Sequence, residues 1–223
     1  RNYSLFLKLP QDFASKFCAV YFKVMAIIIA GLGNPDKKYE GTRHNVGRDF
    51  VSSLQKKWDF SDWKENKKTK VLESFGAVGK MKVLLVLPQT YMNESGTAVL
   101  KYVTSKKGAE KLLIVHDDLD LPLGGAKISF NRGSGGHRGV LSVAKQIKTE
   151  GFGRFRVGIS PSTPSGKLKK PTGEEKVLKF VLGKFSDKEE MEIKKVLKKF
   201  AEASGVFVEE GIMQMMTKWN GRL

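Results

Sequence analysis

Apolar positions along the chain change period from block to block. "AIIIAG", residues 26–31, is a short apolar run rich in β-branched residues and predicts a buried strand. In "TRHNVGRDFVSSLQKKW", residues 42–58, Val46, Phe50, Leu54 and Trp58 recur every four residues, the stripe of an amphipathic helix. "KVLESFGAVGKMKVLLVLP", residues 70–88, predicts a β-hairpin that turns at Val78-Gly79-Lys80 and stops at Pro88. "YMNESGTAVLKYVTS", residues 91–105, predicts a helix with Asn93 or Glu94 near its start and Ala98, Val99 and Tyr102 on its apolar side. "KLLIVHDDLDLP" reads as a buried strand running into two carboxylates, "GGAKISFNR" as another strand, and "GSGGHRGVLSVAKQIKT" as a glycine-rich loop leading to a helix. "RFRVGIS" is a further strand, and "PSTPSGKLKKPTGEEK", residues 161–176, reads as a mobile loop. Residues 186–221 predict one long helix or two in series, opened by a capping box of Ser186 and Glu189.

Strands that alternate with helices predict an α/β fold: a three-layer sandwich with a mixed, mostly parallel central sheet flanked by helices. The hairpin is what makes the sheet mixed. No internal repeat or linker divides residues 25–223, which read as a single domain of ordinary size. Residues 1–24 look foreign to it. Met25 directly precedes the first strand, so the leading segment is expected to be an upstream or targeting piece outside the domain.

Charge adds a partner class. The formal net charge is +17, which points to a polyanion such as nucleic acid, with a solvated lysine surface as the bland alternative. The single cysteine, Cys18, excludes a disulfide framework and a multi-cysteine metal site, so an intracellular, cytoplasmic chain is expected. No apolar run is long enough for a transmembrane helix, so no membrane partner is expected.

The turn after the first strand, "GLGNPD", begins like a dinucleotide-binding fingerprint. Asp36 stands where the third glycine belongs, and Pro35 interrupts the helix that should follow, which argues against a nucleotide oxidoreductase. In open α/β sheets, chemical groups gather beyond the carboxyl ends of strands. Asn34, His44, Asn93, Asp117 with Asp118, and His137 all fall there. Taken singly, each has an ordinary explanation as a cap or a turn residue. Together they converge on one sheet edge. A neutral histidine beside a buried carboxylate is a general base near neutral pH, and asparagine amides suit a carbonyl or an oxyanion. No G-x-S-x-G elbow supplies a nucleophile, and no H-E-x-x-H or C-x-x-C pattern supplies a zinc site. The set reads as water-using hydrolysis with no metal, no cofactor and no covalent intermediate.

The successive motifs "AGLGNPDKKYEGTRHNVG", "PQTYMNESG", "HDDLDLPLG", "GGHRG" and "FVLGKFS" resemble those of bacterial-type peptidyl-tRNA hydrolase, in order and over about residues 25–220. The resemblance implies a monomeric, metal-free enzyme that cleaves the ester between a peptide and the 3′ end of tRNA, recycling tRNA from stalled ribosomes. It implies His44 as the group that activates water or polarises the ester, Asp117 as its partner, and Asn34 and Asn93 as holders of the substrate backbone and carbonyl. It implies Tyr39 and Met92 as cleft-lining residues near the tRNA terminus and His137 as a gate. The family pattern has Asn where Arg138 stands, which alters the peptide-side subsite. A basic clamp position is Ser129 here; Lys127, Arg132 or Arg138 are expected to compensate, with Arg156 at the other clamp position. A non-catalytic RNA-binding relative of the same fold is the competing reading, motivated by Arg138 and the surplus charge.

Overall fold

The first strand, β1 (Ile27–Gly31), forms the centre of a seven-stranded sheet. The chain is described by a computed structural model over residues 26–103 and 105–223, and the leader expected at residues 1–24, with Cys18, lies outside the described residues. The other strands are β2 (Lys64–Asn66), β3 (Val71–Val78), β4 (Met81–Pro88), β5 (Leu112–Pro122), β6 (Ala126–Phe130) and β7 (Gly153–Ser160). Their order across the sheet is β2-β3-β4-β1-β5-β7-β6. The four inner strands β4, β1, β5 and β7 run parallel, while β2 and β3 at one edge and β6 at the other pair antiparallel.

Helices cover both faces: α1 (Val46–Lys57), α2 (Ser95–Val99), α3 (Lys106–Ala109), α4 (Arg138–Ile147), α5 (Glu174–Val181), α6 (Asp187–Glu210) and α7 (Ile212–Trp219). Alternation along β1 shows why its run is apolar throughout. Ile27 and Ile29 join the core under α1, α6 and α7, while Ala26, Ile28 and Ala30 join the core under α2 and α4. The first core is centred on Phe50, Phe155 and Phe200, with Phe200 meeting Phe155 at 4.9 Å edge-on and Phe50 at 5.5 Å. Among the described residues no helix is long and apolar enough to cross a membrane.

The three-layer expectation holds, and so does the hairpin, with Gly79 at φ +55° in its turn. The C-terminal region is two helices in series, parted at Gly211 (φ +85°), and Ser186 with Glu189 forms the capping box. Three local expectations need correction. The helix expected over residues 91–105 is a 3₁₀ turn at Met92–Glu94 followed by only α2. Gly96 presses on α4, where a Cβ would meet the Ser142 carbonyl oxygen at 2.1 Å, and the chain turns after Val99 to bury Tyr102 and Val103. Asp117 and Asp118 do not end β5, which continues to Pro122 with an irregular pairing to β7 after Asp118. The loop expected over residues 161–176 gives way at Glu174 to α5, whose Val177, Phe180 and Val181 follow a helical spacing hidden behind Pro171 and Gly173.

Candidate active site

Where α1 meets the sheet, backbone approaches backbone. A Cβ on Gly47 would meet the Val115 carbonyl oxygen at 2.1 Å, and one on Gly31 would meet the Gly47 carbonyl oxygen at 2.5 Å. The Gly-x-Gly turn therefore serves helix–strand contact and not a phosphate. It seats a 3₁₀ turn, Arg43–Asn45, directly against the end of β1. Asn45 is buried and exchanges two bonds with Asn34: its Oδ1 accepts the Asn34 N–H at 2.8 Å and its Nδ2 donates to the Asn34 carbonyl at 3.0 Å. Asn34 Oδ1 in turn accepts the Met92 N–H at 2.9 Å. The first strand's turn, the His44 turn and the Met92 turn are thus locked together.

Asp117 on β5 is the hub. Its side chain is 3 % exposed, and it accepts from His44 Nδ1 at 2.9 and 3.0 Å and from His137 Nε2 at 3.0 Å. Burial alone would push this carboxyl up; the two histidines outweigh it and hold it far below the usual carboxylate range. Burial would lower the His44 ring, but the Asp117 charge and hydrogen bond prevail and raise it above the ordinary histidine value. The partners assign both tautomers. A carboxylate only accepts, so His44 carries its proton on Nδ1 and leaves the Nε2 lone pair free. His137 caps α4, its Nδ1 accepting the Val140 N–H at 3.2 Å, so its proton sits on Nε2.

A third histidine belongs to the cluster. His116 precedes Asp117, is 1 % exposed, and packs edge-on against the His137 ring at 4.7 Å. Its Nδ1 donates to the Asp117 carbonyl at 2.7 Å, and its Nε2 is buried without a partner. Burial, reinforced by His137, drives it well below the ordinary histidine value, so it stays neutral.

His44, Asp117 and His137 line a cleft of about 440 Å³. Leu119 with Val177, Leu178 and Val181 of α5 form an apolar wall, and the Gly135-Gly136 stretch opens the opposite side. At the mouth Arg138 reaches Glu174 and Lys170 reaches Asp120, both exposed ion pairs.

Of the residues expected at the site, His44, Asp117, His137 and Arg138 line this cleft, while Asn34 and Met92 are bonded to one another beside it. Asn93 is exposed on the turn after Met92, and Tyr39 is half-buried under Lys38, whose Nζ lies 5.0 Å from the ring centroid. Lys127 and Arg132 are exposed. Arg156 is already engaged, its Nε donating to Asp118 at 2.7 Å. Four contributors escaped sequence reading. They are Asn45, His116, Arg43, and the buried Arg154, which holds the glycine-rich loop by donating to the Gly133 carbonyl at 2.8 Å.

The chain is similar to known proteins. The family model described as peptidyl-tRNA hydrolase matches residues 28–223. The chain belongs to the peptidyl-tRNA hydrolase family. The peptidyl-tRNA hydrolase of Aquifex aeolicus is 41% identical over 177 residues, covering 77% of this chain and 84% of that protein. That of Bacillus subtilis is 36% identical over 200 residues, covering 88% of this chain and all of that protein (100%). The crystal structure of the Acinetobacter baumannii peptidyl-tRNA hydrolase superposes with a TM-score of 0.76 at 31% identity, covering 87% of this chain and 94% of that one.

Among the described residues one group has the spacing of a metal site: His44, Asp117 and His137 offer ligand atoms within 4.8 Å of one another. A metal on His137 Nε2 would force the ring proton onto Nδ1, where it would face the Val140 N–H instead of accepting from it. A metal on His44 Nδ1 would likewise move that proton to Nε2 and remove the free lone pair. The hydrogen bonding suits protons here and not a metal ion.

Proposed function

We propose that this chain hydrolyses the ester bond between a peptide and the 3′ end of tRNA, with His44 as the base that activates water. The observation that carries the reading is the Asp117 carboxylate at His44 Nδ1 in a residue that lines the cleft; with the proton held on Nδ1, Nε2 is the nitrogen left to accept one. Water gives a proton to His44 Nε2 as its oxygen attacks the ester carbonyl carbon. The resulting imidazolium is stabilised by Asp117. The tetrahedral intermediate then collapses, the bond to the ribose oxygen breaks, and that oxygen leaves with the proton from His44. No atom of the protein joins the substrate, and no metal is required.

Asn34 and Asn93 hold the ester. Asn34 Oδ1 is occupied by the Met92 N–H, so the amide turns its NH₂ group outward, the right sense for a carbonyl or oxyanion. Tyr39 and Met92 border the terminal nucleotide, and His137 with Arg138 borders the peptide. Lys127 and Arg132 take tRNA phosphates; Arg156 gives its Nε to Asp118 and keeps its terminal nitrogens for the same purpose. The reading extends to a monomer and to tRNA recycling in the cytoplasm. The complete His44–Asp117 pair favours this enzyme over a non-catalytic RNA-binding relative.

A single turnover of N-acetyl-aminoacyl-tRNA in ¹⁸O-labelled water tests the chemistry. One label is expected in the released carboxylate and none in the tRNA. Label in the tRNA terminus would overturn acyl–oxygen cleavage.

A further inference from the structure

The turn that carries His44 is fastened to a second element, and the hydrolysis above makes no use of that fastening. Arg43, immediately before His44, donates through Nη2 to both carboxylate oxygens of Glu189 at 2.9 Å and through Nη1 to the Lys184 carbonyl at 2.9 Å. Its guanidinium lies over the rings of Phe180, at 4.5 Å, and Phe185, at 5.2 Å. The backbone adds two ties: the Arg43 N–H donates to the Gly183 carbonyl at 3.0 Å, and Thr42 forms a bridge with Lys184. Glu189 is itself immobilised, because the same carboxylate closes the capping box with Ser186.

Residues 182–186 are the joint between α5 and α6. From that joint α5 carries Val177, Leu178 and Val181 into the wall of the cleft that His44 enters from the other side. One side chain therefore binds the His44 turn to the base of the cleft wall. The chemistry selects arginine: one nitrogen of the planar fork meets the Glu189 carboxylate, the other meets the Lys184 carbonyl, and the guanidinium lies over two rings, a combination a lysine ammonium does not match. Three successive residues reach three separate anchors, Arg43 to the α5–α6 joint, His44 to Asp117 and Asn45 to Asn34. A three-residue turn has little slack, so loosening one anchor moves the others.

We infer that Arg43 is a positioning residue for hydrolysis, holding His44 on Asp117 and fixing its distance from the α5 wall. This rests on His44 being the base. Arg43 does not touch the substrate.

The test compares purified Arg43→Lys, Arg43→Gln and Glu189→Gln chains with the parent on N-acetyl-aminoacyl-tRNA. For both Arg43 variants kcat falls on the order of ten- to a hundred-fold with KM changed far less, as displacement of a catalytic group predicts. The acid limb of the kcat profile also moves to lower pH, because among the described residues Asp117 from β5 is the charged group facing His44 that favours its protonated form. His137 and Arg138 from α4, and Glu174 beyond Arg138, do not replace it. Glu189→Gln shifts both readouts in the same direction by less. A merely structural Arg43 would lower the melting temperature and leave kcat per folded molecule and the acid limb in place. Folded Arg43 variants with parental kcat and an unmoved acid limb overturn the inference. If those variants do not fold, Glu189→Gln decides by the same two readouts. Turnover that survives His44→Ala would instead remove the base assignment itself.

Discussion

Asn45 and Asn34 are joined by two hydrogen bonds of opposite sense, one to the backbone N–H of Asn34 and one to its carbonyl. Gly33 makes room for this contact, since a Cβ there would stand 2.9 Å from Asn45 Oδ1. An Asn45→Ala change leaves a buried donor and a buried acceptor without partners, each worth about 1–3 kcal/mol. The expected loss is roughly 2–5 kcal/mol, read from urea denaturation. Asn45→Asp keeps the acceptor but sets a buried carboxylate oxygen against the Asn34 carbonyl, so it does not restore the parental midpoint. A midpoint unchanged in Asn45→Ala would contradict this account of the turn.

With His44 as the base, Asp117 is expected to set the pH dependence of activity. Its carboxylate favours the protonated His44 ring, so the acid limb of kcat/KM lies above the ordinary histidine value of 6.5. Asp117→Asn removes that charge, and burial alone then lowers His44. The acid limb is expected to move to lower pH, with a rate loss on the order of 10²–10⁴ because the tautomer is no longer fixed. A limb that stays in place would separate Asp117 from His44 titration.

His116 is expected to make the fold sensitive to mild acid. Its folded value lies well below its unfolded one, so its contribution is full above pH 6.5 and is lost as pH falls below it. The His44 contribution has the opposite sign and is already complete below that pH, because its folded value is raised. His116→Gln is therefore expected to flatten the fall in stability between pH 6.5 and 5, by up to about 1.4 kcal/mol per pH unit. Denaturant midpoints at several pH values measure it. Parallel slopes in parent and variant would count against a neutral buried His116.

Legibility in the sequence followed locality. His44 and His137 sit beside turns at helix starts, and Asp117 interrupts the apolar run of β5, so each polar residue stands out from its apolar neighbours. His116 does not, because "LLIVH" reads as strand core and the residue is indeed buried. Asn45 looks like an ordinary helix cap, and only the approach of Gly33 gives it Asn34 as a partner. The Arg43–Glu189 contact spans 146 residues and has no local signature. The helix expected over residues 91–105 failed for a tertiary reason, the seat of Gly96 on Ser142, which outweighs local propensity. The layer architecture needed only period and order, and it was readable throughout.

The basic surface predicts steep salt dependence for tRNA. Each phosphate contact releases counterions, so affinity should fall as salt rises, and removing one contacting cation should lower the slope by about 1. Lys127→Ala and Arg132→Ala are expected to show that reduction in filter binding at graded salt, with kcat at saturation little changed. A flat parental response would mean that the +17 charge is unrelated to substrate.

The most direct measurement is hydrolysis of N-acetyl-aminoacyl-tRNA by the purified chain in excess chelator, with His44→Ala beside it. The account predicts full turnover by the parent in chelator and a loss on the order of 10²–10⁴ in the variant, with tRNA binding retained. Parental activity abolished by chelator, or a His44→Ala variant as fast as the parent, would contradict it.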